Sequence, residues 1–140
     1  MKLGAGALFV CSNTQRMLLN MRSAHKTHNF TWALWGGMAE ADESPTQCLL
    51  REISEEMGSV PDISKVYPFD IYESTNQQFR YYTFVCVVAQ EFAPVINSEA
   101  CAYGWFDLGV WPKPLHRGVR QCFASKKGQQ LLEIILSQYQ

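Results

Sequence analysis

Charge is scarce in this sequence and nearly balanced: Asp, Glu, Lys and Arg make up 18% of its residues and the formal net charge is -1. So weak a field cannot grip the backbone of duplex nucleic acid regardless of sequence, although it leaves room for local basic patches. Paired cysteines are missing too. The five present (Cys11, Cys48, Cys86, Cys101 and Cys122) are widely spaced and never form CxxC. That argues against a zinc ribbon or a disulfide framework and suits a reducing cytoplasm. No apolar run approaches the ~20 residues of a membrane helix, the longest being YYTFVCVVA. The opening KLGAGALFVC has a leader-like order of charged then apolar residues. Bulky Phe9 and Val10 nevertheless stand where a processing site takes small side chains, so the segment reads as a buried first strand. Repeats, low-complexity tracts and linkers are absent as well.

What is present suits one globular domain over residues 1–140, with 47% hydrophobic residues to build a core. GAGALFVC and RMLLNMR read as strands around the turn SNTQ, and the polar loop SAHKTHN leads to a third, TWALW. After an acidic stretch, VYPFDIYES and FRYYTFVCVVAQ form a hairpin about TNQQ. The second of these is apolar on both faces and belongs inside a sheet. AYGWFDL is a last strand, VWPKPLH a Pro-punctuated connection, and GQQLLEIILSQYQ an amphipathic helix. Strands, helix, strands, helix is the order of an α/β or α+β domain whose mixed sheet lies between helices.

The acidic stretch, Gly36 to Gly58, reads GGMAEADESPTQCLLREISEEMG and holds six of the acids. Ser44 as N-cap, Pro45 in the first turn and Gln47 completing a capping box start a helix, and Gly58 ends it. On that helix Leu49, Leu50, Ile53 and Met57 share one side, and Glu52, Glu55 and Glu56 share the other, expected to face away from the core. Glu52 and Glu56 repel at one turn's spacing, which Arg51 partly offsets. Glutamate faces are commonly just solvated. Here the preceding glycines bring backbone carbonyls close to several carboxylates, the oxygen-rich setting that hard divalent cations require.

These residues resemble the signature of the Nudix hydrolases, G-x5-E-x7-R-E-U-x-E-E-x-G-U with U a bulky apolar residue. Gly37, Glu43, Arg51, Glu52, Ile53, Glu55, Glu56 and Gly58 fill it in register, and Ser59 departs from it at a packing position. Similarity extends through AGALFV, LLNMRS, TWALWGG and the late WF. The resemblance implies an α/β/α sandwich and hydrolysis of a nucleoside diphosphate linked to another moiety, with Mg²⁺ or Mn²⁺ assisting attack by water. It further implies metal ligation by Glu52, Glu55, Glu56 and the Gly36 carbonyl, orientation of a glutamate by Arg51, and support from Glu43 behind them. Family members differ in which glutamate is the base. Some use one in the motif helix, others one on a later loop, where Glu99 stands as a candidate base or further ligand and Glu91 as a weaker one. The rival reading is a Nudix-fold module that senses a nucleotide without cleaving it, although such modules usually lose motif glutamates and none is lost here.

Substrate recognition is less sharply written. Arg22 is a candidate phosphate ligand, and Phe30, Trp32, Trp35, Phe79, Tyr81 and Trp105 offer stacking surfaces, with Trp35 and Phe79 preferred. His25 and His28 read as loop residues and His116 as a border of the pocket. Subfamilies acting on ADP-ribose or diadenosine polyphosphates carry a proline or a tyrosine about 16 to 18 residues past the motif. Thr75, Asn76 and Gln77 fill that window, so the substrate stays open beyond a small nucleotide. Neither duplex nucleic acid nor a membrane is an expected partner, and the sequence leaves the oligomeric state open, a homodimer being one candidate.

Overall fold

The apolar opening segment becomes the hub of the sheet. The computed structural model describes residues 1–140. In chain order its elements are β1 (Lys2–Cys11), β2 (Met17–Arg22), β3 (Trp32–Ala33), β4 (Trp35–Met38), α1 (Pro45–Met57), β5 (Lys65–Glu73), β6 (Phe79–Val88), β7 (Ala100–Phe106), α2 (Arg117–Ala124) and α3 (Lys126–Ser137). β1 runs antiparallel to β2 and β4 on one edge and parallel to β6 on the other, from Lys2 opposite Phe79 to Cys11 opposite Val88. The sheet is therefore mixed, and β6 lies inside it between β1 and β5, as its two apolar faces require. β7 returns to pair with β2.

Alternation along β1 sends Leu8 and Val10 to one face and Ala5, Ala7 and Phe9 to the other. The first face is covered by α2 and α3 through Val119, Phe123, Leu132, Ile135 and Leu136. The second is covered by α1 through Cys48, Leu49, Ile53 and Met57. Burying a side chain such as Leu49 or Ile53 contributes about 1.5–3 kcal/mol, enough to fix how α1 lies on the sheet. The result is the expected sandwich of helices around a mixed sheet.

Three local expectations are corrected. TWALW is two short strands broken at Leu34, and β4 continues through both glycines, so Gly36 and Gly37 lie in the ladder opposite Gly6 and Ala5 rather than in a loop. Leu50 is exposed, because α1 meets the sheet through an arc that excludes it. The stretch before the last helix contains α2, whose N-cap is His116 accepting from the Gly118 amide at 3.1 Å.

Candidate active site

α1 begins and ends where its sequence directs. The Ser44 hydroxyl accepts the Gln47 amide at 3.1 Å, the Gln47 side chain accepts the Ser44 amide at 2.9 Å, and Gly58 closes the helix at φ 81°. These caps fix the rotation at which the motif glutamates leave the helix. At about 100° per residue Glu56 falls only about 20° from Leu49, on the side that meets the sheet. It is buried, 9% exposed, and accepts the Gly36 amide at 2.6 Å. This corrects the expectation that all three glutamates face away from the core.

Burial, with the charges of Glu52 and Glu99 adding to it, pushes the Glu56 carboxyl up to about 8 against the partial relief of the Gly36 amide and Lys26. Burial likewise raises Glu52 despite its bond to Arg51. Gly37 makes room for Glu52: a Cβ there would stand 2.6–2.7 Å from its carboxylate. A Cβ on Gly36 would instead strike the β1 backbone, at the Ala5 carbonyl and 2.5 Å from the Gly6 Cα. Glu55, the third motif glutamate, has a half-exposed side chain.

Arg51 gathers the outer carboxylates. Its guanidinium reaches Glu43 at 2.7 and 2.9 Å, Glu52 at 2.9 Å, Glu55 at 3.3 Å and the Met38 carbonyl at 2.9 Å. Glu43, held below the ordinary carboxylate range chiefly by Arg51, also accepts the Glu40 amide at 2.9 Å and so braces the turn before α1. In this arrangement Glu52 and Glu55 point to Arg51 and Glu56 to a backbone amide. No three carboxylate, thiol or imidazole side chains converge as a finished ligand shell.

Glu99 precedes β7 and is brought to α1 by its loop. The Asn97 side chain donates to the Glu55 carbonyl at 3.0 Å and accepts the Glu99 amide at 2.8 Å, while Ser23 bonds the carbonyls of Ser98 and Glu99 at 2.7 and 3.0 Å. Its carboxylate meets Lys26 at 3.1 Å, and its charge acts on both Glu52 and Glu56. Lys26 was not singled out in the sequence, because nothing in SAHKTHN shows that the loop folds back on residue 99. Glu91 is not with this group: Arg16 at 2.5 and 2.7 Å holds it at the other end of β6 and lowers it.

The substrate candidates divide. Trp35 is fully buried, with its indole N–H on the Leu18 carbonyl at 3.2 Å, so it is core and cannot stack on a base. Trp105 donates to the Phe92 carbonyl at 3.1 Å, and Trp32 meets Phe106 edge to face, both packing roles. Phe79 is half-buried between Tyr72 and Tyr81, at ring distances of 6.2 Å from each. Tyr81 lies across Gly4 and Gly6, whose missing side chains admit its ring. Arg22 is held by the carbonyl and hydroxyl of Thr27 at 2.8 and 3.2 Å. Its charge, after burial, helps to lower His116, whose ring sits 5.2 Å from that of His28. His25 bonds Ser23 within its loop.

A Nudix domain model matches residues 1–125. No sequence among the curated proteins matches the chain. Among solved structures, the chain is similar to a MutT Nudix hydrolase from Burkholderia pseudomallei at 24% identity and TM-score 0.66, over 87% of this chain and 95% of that one. The Nudix hydrolase RenU from M. smegmatis gives 22% and 0.71, over 97% and 85%. The Nudix domain of NrtR from Shewanella oneidensis, solved with ADP ribose, gives 19% and 0.62, over 99% and 88%. With the family model spanning β1 to α2 and the signature residues set on α1 and β4, the chain belongs to the Nudix family, the pyrophosphohydrolases that act on derivatives of nucleoside diphosphates.

Proposed function

We propose that this protein is a divalent-metal-dependent hydrolase that cleaves a pyrophosphate bond in a nucleoside diphosphate linked to another moiety, a nucleoside triphosphate, dinucleotide or nucleotide sugar. The observation that carries the reading is the placing of Glu52 against Gly37 and of Glu56 on the Gly36 amide, with the Asn97–Glu55 bond tying the loop of Glu99 to the same helix. Carboxylates buried as Glu52 and Glu56 are carry their charge at a cost that a cation would offset. The donors are hard oxygens, which fit Mg²⁺ or Mn²⁺ better than a soft metal.

Glu52, Glu55, Glu56 and the Gly36 carbonyl would hold the ion, with Glu99 as a further ligand or as base. Bound there, a divalent cation neutralises pyrophosphate charge and makes water more acidic. The protein's own parts do the positioning. Arg51 holds Glu52 and Glu55, the Gly36 amide orients Glu56, and the tethered loop of Asn97 delivers Glu99 as an acceptor for the proton of the attacking water. Arg22 and the Phe79–Tyr81 aromatics provide contacts for phosphate and base. Five free thiols and the lack of any helix long and apolar enough to cross a membrane accord with a cytoplasmic place of action.

Turnover of a panel of nucleoside triphosphates, ADP-ribose, dinucleoside polyphosphates, nucleotide sugars and capped RNA, with products identified by mass, tests the reading. Cleavage between phosphates with Mg²⁺ or Mn²⁺, abolished by EDTA, is the expected result. Full activity in metal-free buffer overturns it.

A further inference from the structure

The cations of this chain are unevenly distributed. Lys113, Arg117, Arg120, Lys126 and Lys127 are five of its 12 lysines and arginines and fall within 15 residues, while no acid occurs between Asp107 and Glu133. All five are exposed, and none takes part in an ion pair. Arg117, Lys126 and Lys127 occupy the opening turns of α2 and α3, neither of which has an acid there. The helix dipole disfavours cations at those positions, so the arrangement opposes helix stability, and the Asp70 carboxylate that reaches α2 meets the Cys122 thiol at 3.8 Å rather than a cation.

The head of α2 is linked to the carboxylate site through the β2–β3 loop. His116 at the head of α2 packs against His28, on the same β2–β3 loop whose Lys26 holds Glu99. Phe30, two residues after the His28 that packs on the head of α2, is 51% exposed, an apolar ring open to solvent. The exposed positions of α2 itself (Arg117, Gly118, Arg120, Gln121 and Ala124) include no large apolar side chain that could enter a bilayer.

We infer that α2 and the start of α3 form a binding surface for single-stranded nucleic acid, with the cations following the phosphodiester backbone and Phe30 stacking on a base. A basic track beside an exposed aromatic ring is the physical requirement for holding a single strand. The inference goes beyond the hydrolytic reading and does not depend on it.

Fluorescence anisotropy of a labelled oligothymidylate with the full chain, in EDTA to silence hydrolysis, tests this. Saturable binding that weakens about 20- to 100-fold from about 50 to about 200 mM salt is expected for three to five neutralised phosphates. Arg117→Glu/Arg120→Glu and Lys126→Glu/Lys127→Glu should each weaken it at least ~10-fold, and Phe30→Ala about 5- to 150-fold through lost stacking. Because Glu suits a helix start better than Lys or Arg, both charge reversals should melt no lower than wild type and still hydrolyse small nucleotides normally. No binding at low salt, binding indifferent to both reversals, or capture by phosphatidylserine vesicles without capture of the oligonucleotide would each overturn the proposal. None of these results would bear on the hydrolase assignment.

Discussion

Glu56 does two opposed things, since it is buried against the sheet and yet belongs to a charged site. With its carboxyl raised to about 8 from the ordinary 4.5, the folded metal-free chain keeps a proton over that interval that the unfolded chain releases. The stabilisation is complete below about 4.5 and lost as pH rises through about 8. Glu56→Gln in EDTA should therefore gain in melting temperature relative to wild type between pH 5 and 8, at about 4 °C per kcal/mol for a domain of this size. A difference that is flat with pH would show that Glu56 is not the titrating group. Catalysis should respond in the opposite sense. Glu52→Gln, Glu55→Gln and Glu56→Gln are each expected to lower kcat ~10²-fold or more at saturating metal, about 3 kcal/mol of transition-state stabilisation. For Glu99→Gln, kcat followed against Mn²⁺ concentration separates two roles. A loss that excess Mn²⁺ does not repair marks the base, a repairable one marks a ligand, and no loss removes Glu99 from the site.

At the scale of elements, β4 and α1 meet through two adjacent glycines that ought to fail differently. Gly37→Ala sets a methyl against the movable end of Glu52, so the protein should fold and lose activity. Gly36→Ala sets it against β1 backbone and should lower stability by about 1–3 kcal/mol, read from denaturant midpoints. Equal stability of the two variants would contradict this division. α1 was legible to the residue because its boundaries depend on local chemistry: Ser44, Pro45 and Gln47 at one end, Gly58 at the other. α2 was not legible, since only Val119 and Phe123 of its eight residues are buried and its cap is a histidine. Trp35 misled for a related reason. An indole reads the same in sequence whether it faces a ligand or, as here, has its N–H satisfied by the distant Leu18 carbonyl. The pattern that sets Glu52, Glu55 and Glu56 on one helix was visible in the motif, and Glu99 stands outside it. The burial of Glu56 and the Lys26–Glu99 pair depend on contacts between segments far apart in the chain.

Taken as a whole, the molecule places its acids and its helix ends so that one cation should brace several elements at once, because α1, β4 and the loop before β7 all contribute groups near Glu56. Saturating Mn²⁺ at about 100 times its dissociation constant should raise stability by about 2.7 kcal/mol, and Glu56→Gln should lose most of that gain in a thermal melt. An equal rise in both proteins would place the ion elsewhere. The pairing of β1 with β6 has a different kind of consequence, for the order in which the chain can take shape as it is made. One edge of β1 stays without its partner until the ribosome has added residues 79–88. At about 5–20 residues per second that wait is roughly 4–15 s. Throughout it the segment Leu8 to Cys11, fully buried in the finished protein, has an open strand edge, making the nascent chain a candidate for chaperone binding well before its site exists.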